Sequence, residues 1–159
     1  MSMGESPMGL MTGKKGLIMG LANDKSIAWG IAEALHAEGA EIGVTYVGEP
    51  MKKRVWPLAK RISASIISEC DVGDPASIAA LMDEVRSVWG NIDFIVHAIG
   101  FSDKSELRGP YINTSRDNFL TTLDISAYSF TAVLQSCLLY TSDAADDLLC
   151  VDLGGRRII

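Results

Sequence analysis

The 159-residue chain has room for one ordinary buried core and not for a comfortable second one. Its 48% apolar and 21% charged residues are globular usage, which excludes a disordered or membrane-embedded class; a net charge of −6 without a Lys/Arg-rich stripe gives a nucleic-acid partner no electrostatic footprint. The three cysteines, Cys70, Cys137 and Cys150, are odd in number and widely spaced, which fits neither a disulfide framework nor a CxxC metal or redox pair and points to a reducing cytosol.

Residues 1–13 lack the long apolar core of a signal peptide and read as a flexible leader, with Met3, Met8 and Met11 as alternative starts. Lys15 to Gly20 is a short apolar run of the kind that forms a strand buried on both faces. From Ile27 to about Glu38, the residues Ile27, Ile31 and Leu35 recur every four positions beside Ala28, Ala32 and Ala34, predicting a helix with one packed face that Gly39 stops. Glu41 to Tyr46 carries β-branched and aromatic residues and predicts a second strand. A basic helical stretch, Pro50 to Arg61, leads to a third apolar run, Ser65 to Cys70. The clearest helix follows: Asp74 caps it, Pro75 suits its first turn, Ile78, Leu81, Met82, Val85 and Trp89 repeat at three- and four-residue spacing, and Gly90 or Asn91 ends it. Ile92 to His97 is a fourth strand, and a loop with Gly109-Pro110 leads into a helix over about Arg116 to Gln135. Trp29, Trp56 and Trp89 are expected to pack helices on the sheet. His36, on an exposed helix position, and His97, at a strand end, lack the paired spacing of a metal site, so no metal is implied.

Strands separated by helical segments of this length cannot pair as hairpins, so they lie parallel with right-handed crossovers and helices on both faces. The expected class is α/β: the first half of a doubly wound, Rossmann-type parallel sheet. Such sheets bind ligands outside the carboxyl ends of their strands, here the turns after Met19, Tyr46, Cys70 and His97. In the first turn Gly20 lets a backbone pass close to a pyrophosphate, and Ser26 can cap the helix whose positive end faces the anion. The spacing is not the common GxGxxG, and an ordinary strand-to-helix turn with a capping serine has the same residues. Asp71, directly after the third strand, is placed to accept a hydrogen bond from an adenine amino group and equally reads as an acidic turn residue. The fourth turn, His97 to Ser102, ends a buried strand in a small bend at Gly100 that can let a nicotinamide ribose approach.

Together these turns resemble the enoyl-acyl-carrier-protein reductases, a divergent branch of the short-chain dehydrogenase/reductase superfamily. The resemblance rests on Gly20 with Ser26-Ile-Ala, on Thr45-Tyr46, on Cys70-Asp71-Val72, on Val96-His97-Ala-Ile-Gly100-Phe-Ser102 and on Asp124-Ile-Ser-Ala-Tyr128-Ser-Phe130. It runs from about Lys14 to about Cys137. It implies an NADH-binding fold in which Gly20, Ser26 and Ile27 hold the pyrophosphate side, Asp71 and Val72 flank the adenine, Ile99 and Gly100 lie along the nicotinamide half, and Ser102 sits near the acyl substrate. Val47 stands where members often carry a polar residue and is left out of the site. Gly48 and Glu49 offer no basic clamp for a 2′-phosphate, which favours NADH over NADPH, although Lys52, Lys53 and Arg54 follow closely. The implied reaction is hydride transfer to the β-carbon of a trans-2-enoyl thioester carried on acyl carrier protein, a step of fatty acid elongation, in a cytoplasmic homotetramer. A ketoacyl-type reductase of the same superfamily fits less well, because the first turn lacks that branch's glycine-rich spacing.

The family's tyrosine, and the lysine seven residues beyond it, are expected after the last helix, and neither Tyr128 nor Tyr140 has that lysine. Residues 138–159, from Leu138 through the acidic Asp143 to Asp147 run to Arg156-Arg157, resemble translated linker sequence with a seam near Leu138. The expected organisation is therefore a leader (1–13), a partial NAD-binding domain (14–137) and a non-native tail (138–159), with no catalytic residue present. A non-catalytic nucleotide-binding fragment is the alternative reading. Without a fifth strand, the fourth would present an unpaired apolar edge and favour aggregation.

Overall fold

A computed structural model of the chain describes residues 9–141. The earlier part of the leader and most of the expected tail, Cys150 included, lie outside the described residues. Four short apolar runs become parallel strands: β1 (Lys15–Met19), β2 (Glu41–Tyr46), β3 (Ile66–Glu69) and β4 (Phe94–His97). Their order across the sheet is β3-β2-β1-β4, with Leu17 opposite Gly43 on one side and Ile95 on the other. The two inner strands are β2 and β1, and Leu17, Ile18 and Met19 of β1 are wholly buried, each contributing about 1.5–3 kcal/mol of transfer free energy.

Alternation along the strands divides the core into two faces. Ile18, Ile42 and Val44 point to the side covered by α1 (Ile27–Ala37) and α2 (Gly48–Arg61). Leu17, Met19 and Ile66 point to the side covered by α3 (Pro75–Trp89) and α5 (Ser129–Thr141). Asp74 caps α3 as expected, accepting the Ala76 N–H at 2.9 Å, and Gly90 ends it with its N–H on the Arg86 carbonyl, also at 2.9 Å. Trp89 fits over β2 because position 43 is glycine: a Cβ there would come within 2.9 Å of both the indole and Leu17. The indole Nε1 donates to Glu41 Oε1 at 2.7 Å, and Ser65 Oγ donates to the same oxygen at 2.6 Å. These bonds, that from Ser65 foremost, hold the Glu41 carboxyl below its ordinary range.

Several expectations need correction. Ile27 does not join the packed face of α1: it is 80% exposed, while Ala28, Trp29 and Ala32 are buried and Ile31 and Leu35 flank them. The buried contact of α1 is thus carried by Trp29 together with the small Ala28 and Ala32. Trp56 is also a surface residue, 40% exposed, with the Lys60 ammonium 5.7 Å from its ring centroid. Gly9 to Gly13, assigned to the loose leader, forms a turn in which Leu10 N–H donates to the Glu38 carboxylate and Met11 N–H to the Glu38 carbonyl, both at 3.0 Å. The last helix is interrupted: α4 (Arg116–Leu123) passes into a π-helical turn (Asp124–Tyr128) before α5 continues to Thr141. Strand β4 forms an edge among the described residues, and all four of its residues are half-buried, as expected of a strand paired on one side.

Candidate dinucleotide site

The strand order reverses between β1 and β4, so the turns following those strands diverge and leave a crevice at their carboxyl ends. Gly20 forms the floor. Its φ of +89° belongs to the left-handed region, and a Cβ there would collide with the Ala98 carbonyl. Only glycine lets β1 and β4 close together here, and the bond from Ala98 N–H to the Met19 carbonyl at 3.1 Å seals the junction. Ser26 stands at the start of α1, but its hydroxyl turns back and donates to the Asn23 carbonyl at 2.6 Å, with no side-chain cap on the helix. The first-turn N–H groups of Ile27 and Ala28 have no carbonyl a turn behind them within the helix, so they remain directed outward at its positive end.

Two clefts meet at this floor. The first, about 520 Å³, is lined by Gly20, Leu21, Ala22, the end of β2, Asp71, Val72, Ile99, Gly100, Phe101 and Ile125. The second, about 490 Å³, runs over Ser26, Ile27 and His97. Gly20, Ile99 and Gly100 belong to both walls. Each volume lies within the range of small-molecule sites, roughly 300–1,000 Å³, and adjoining clefts suit an elongated ligand. Seven residues that the sequence singles out, Gly20, Ser26, Ile27, Asp71, Val72, Ile99 and Gly100, thus line one crevice. The exposure of Ile27, anomalous for a core residue, suits a wall of the second cleft. Asp71 Oδ1 accepts the Gly73 N–H at 2.9 Å, while the Asp71 N–H donates to Ser77 Oγ at 2.9 Å. The carboxylate is thereby aimed beside the nearly buried Val72, with Oδ2 available for an incoming donor. These residues fit a dinucleotide: a glycine floor without a Cβ, outward amides at a helix start and an oriented carboxylate over an apolar wall.

Ser102 lines neither cleft. Its hydroxyl accepts from Thr122 Oγ1 at 3.1 Å and lies 3.3 Å from Asn118 Nδ2, so it fastens the loop to α4. The neighbouring Phe101 does line the first cleft, and the π turn fixes its backbone: Ser126 Oγ accepts the Phe101 N–H at 3.0 Å and donates to its carbonyl at 3.2 Å. Three residues later Ser129 Oγ donates to the Ile125 carbonyl at 2.6 Å, which leaves it to accept from His97 Nε2 at 2.7 Å. The Ala98-Ile-Gly100 segment is therefore pinned at both ends by serines of one helix. Burial pushes the His97 imidazole below its ordinary pKa, keeping it neutral, and Phe130 packs edge-on to it at 5.7 Å.

Leu21 and Met51 line the site without having been singled out, and Phe101 and Ile125 stand only within longer motifs with no role of their own, because apolar residues in loops and helix interiors carry no local mark of a ligand. Val47, set aside on family grounds, is 51% exposed on the wall of the first cleft. Tyr46 and Lys53 have the seven-residue interval of the family's reacting pair, but Tyr46 ends β2 and Lys53 lies in α2. They do not share a helix face as such a pair must.

Fold and crevice are those of an α/β protein of Rossmann type. The family model described as enoyl-(acyl carrier protein) reductase matches residues 20–153, past the expected seam at Leu138, and the chain belongs to that family. The chain is 51% identical over 151 residues to enoyl-[acyl-carrier-protein] reductase [NADH] 1 of Rhizobium meliloti, a match covering 95% of this chain and 56% of that protein. Among solved structures, the enoyl-(acyl-carrier-protein) reductase of Anaplasma phagocytophilum in complex with NAD superposes with a TM-score of 0.79 at 49% identity, over 83% of this chain and 50% of that one. The Bacillus cereus enoyl-acyl carrier protein reductase with NADP+ and indole naphthyridinone gives 0.80 at 37% identity, over 86% and 54%. The chain thus spans about half the length of the relatives it matches. No helix among the described residues is long and apolar enough to cross a membrane.

Proposed function

We propose that this chain is the cofactor-binding part of an NADH-dependent enoyl-acyl-carrier-protein reductase, the whole protein reducing trans-2-enoyl-acyl carrier protein during fatty acid elongation as a cytoplasmic homotetramer. The observation that carries the reading is the crevice: residues from four separate strand-end turns line adjoining clefts with a shared glycine floor. Gly20, Ser26 and the amides at Ile27 and Ala28 hold the pyrophosphate, Asp71 orients the adenine against Val72, and Ile99 with Gly100 lies along the nicotinamide half. Bound NADH would supply the hydride to the enoyl β-carbon. The nucleotide-binding domain comprises residues 14–137, with the Gly9 to Gly13 turn fastened to it. Ser102 serves the substrate side by holding the Phe101 loop in place.

The reacting tyrosine and lysine belong to the length that the relatives have beyond this chain, so the chain alone binds nucleotide without turnover. NADH titration followed by a crotonyl thioester tests both parts. The expected result is saturable NADH binding with no consumption of NADH on adding the thioester. Absence of NADH binding overturns the cofactor reading, and turnover overturns the assignment of the reacting groups.

A further inference from the structure

The cofactor reading leaves open how the site treats the 2′ position of the adenosine ribose. A ribose linking the pyrophosphate turn at Gly20 to the adenine at Asp71 must pass the end of β2, where dinucleotide folds place the residue that meets the 2′ group, commonly an acid about 20 residues beyond the glycine turn. Here β2 ends at Tyr46 and is followed by Val47 and Gly48, none of them acidic. Parallel register instead brings Glu69 of β3 level with Tyr46. From there its Oε1 reaches across the strand end and accepts the Gly48 N–H at 2.9 Å.

Lys52, in the first turns of α2, is engaged as well. Lys52 Nζ lies 3.1 Å from Glu49 Oε1, and its ammonium is held above its ordinary range first by that bond and by the Glu49 charge. A phosphate on the 2′ oxygen would need a free amide or ammonium at this spot. The single Gly48 N–H is already taken by Glu69 and the Lys52 charge is offset by Glu49, while the exposed Glu69 adds repulsion. A 2′-hydroxyl meets no such obstacle, since it can donate to the same carboxylate.

We infer that Glu69, level with the lining residue Tyr46 and supported by Glu49, is the specificity-determining residue that makes the rim of this cleft reject a 2′-phosphate and accept a free 2′-hydroxyl. This rests on the dinucleotide reading of the crevice. The test is fluorescence titration of the chain with NADH and with NADPH, in the wild type, Glu69→Gln and Glu49→Gln/Glu69→Gln. Glutamine keeps an oxygen for the Gly48 N–H and removes only the charge. The expected result is a wild-type preference for NADH that falls by about fivefold in Glu69→Gln, as befits one partly solvated charge, and further in the double variant. An unchanged NADH-to-NADPH ratio in both variants, with NADH still bound, overturns the role of Glu69 and leaves the cofactor reading standing. Failure of the wild type to bind either nucleotide overturns both.

Discussion

Helices α3 and α4 both carry large apolar residues at helical spacing, yet their fates differ. In α3, Ile78, Leu81, Met82, Val85 and Trp89 are all buried against the sheet. In α4 nothing is buried, and Phe119, Leu120 and Leu123 stand 43%, 53% and 46% exposed. Periodicity therefore marks which face of a helix is apolar, not whether anything covers it. The same contrast separates β1, enclosed by neighbours and helices, from β4, which shares its pattern of apolar residues but lies at the edge.

The comparison can be broken by truncating one residue on each helix. Trp89→Ala removes the indole over Gly43 and the bond to Glu41, and should cost about 3–5 kcal/mol in urea denaturation. Leu120→Ala on α4 should stay within about 0.5 kcal/mol of wild type, and equal losses would show that α4 is as well covered as α3. Next in size, Gly20→Val forces a side chain into the left-handed region and against Ala98. It should cost about 1–3 kcal/mol, with NADH binding lost in the same preparation. The two helix starts then sharpen the contrast: Asp74→Ala should lose about 1 kcal/mol with its cap, whereas Ser26→Ala, which breaks no cap bond, should lose only a few tenths. Thermal melts of both variants give the order.

The smallest effect is that of His97. Its folded-state pKa lies below the ordinary 6.5 because burial disfavours the imidazolium. Stability is thus complete above that value and declines as pH falls toward the folded pKa, because the unfolded chain takes up the proton first. Urea midpoints at pH 7.5 and 5.5 should fall further apart in the wild type than in His97→Gln. Equal pH dependence would remove His97 from the account. The window lies above the ordinary carboxylate range, so Glu41, Asp93, Asp103 and Glu106, whose carboxyls are all held low, contribute little to it.

Most of the strand and helix order was legible because each element announces itself locally: a short apolar run for β1, an Asp-Pro start and a complete apolar stripe for α3. The site was legible as far as it depends on glycine and on charged or hydroxyl residues at strand ends, since the fold alone directs those turns to one crevice. What escaped the sequence is set by distant partners. The hydroxyl of Ser26 is drawn away from its helix by Asn23, and that of Ser102 is drawn toward α4. Ile27 is exposed because of where α1 begins relative to the sheet. Glu69 reads as the polar end of a strand until the register of β2 and β3 places it beside Gly48. The π turn has no local signature at all.

That turn also sets the phase of the helix around it. An α-helix advances by about 100° per residue, so the added residue of a π turn rotates everything before it relative to everything after. Ser126 and Ser129 reach Phe101 and His97 together only at that setting. Deleting Ala127 would keep every functional side chain yet swing Ser126 away from Phe101 while Ser129 kept hold of His97. The far end of the Ala98-Ile-Gly100 segment would then come loose. The wall shared by the two clefts is thus kept in place by the timing of a helix that contributes only Ile125 to their lining.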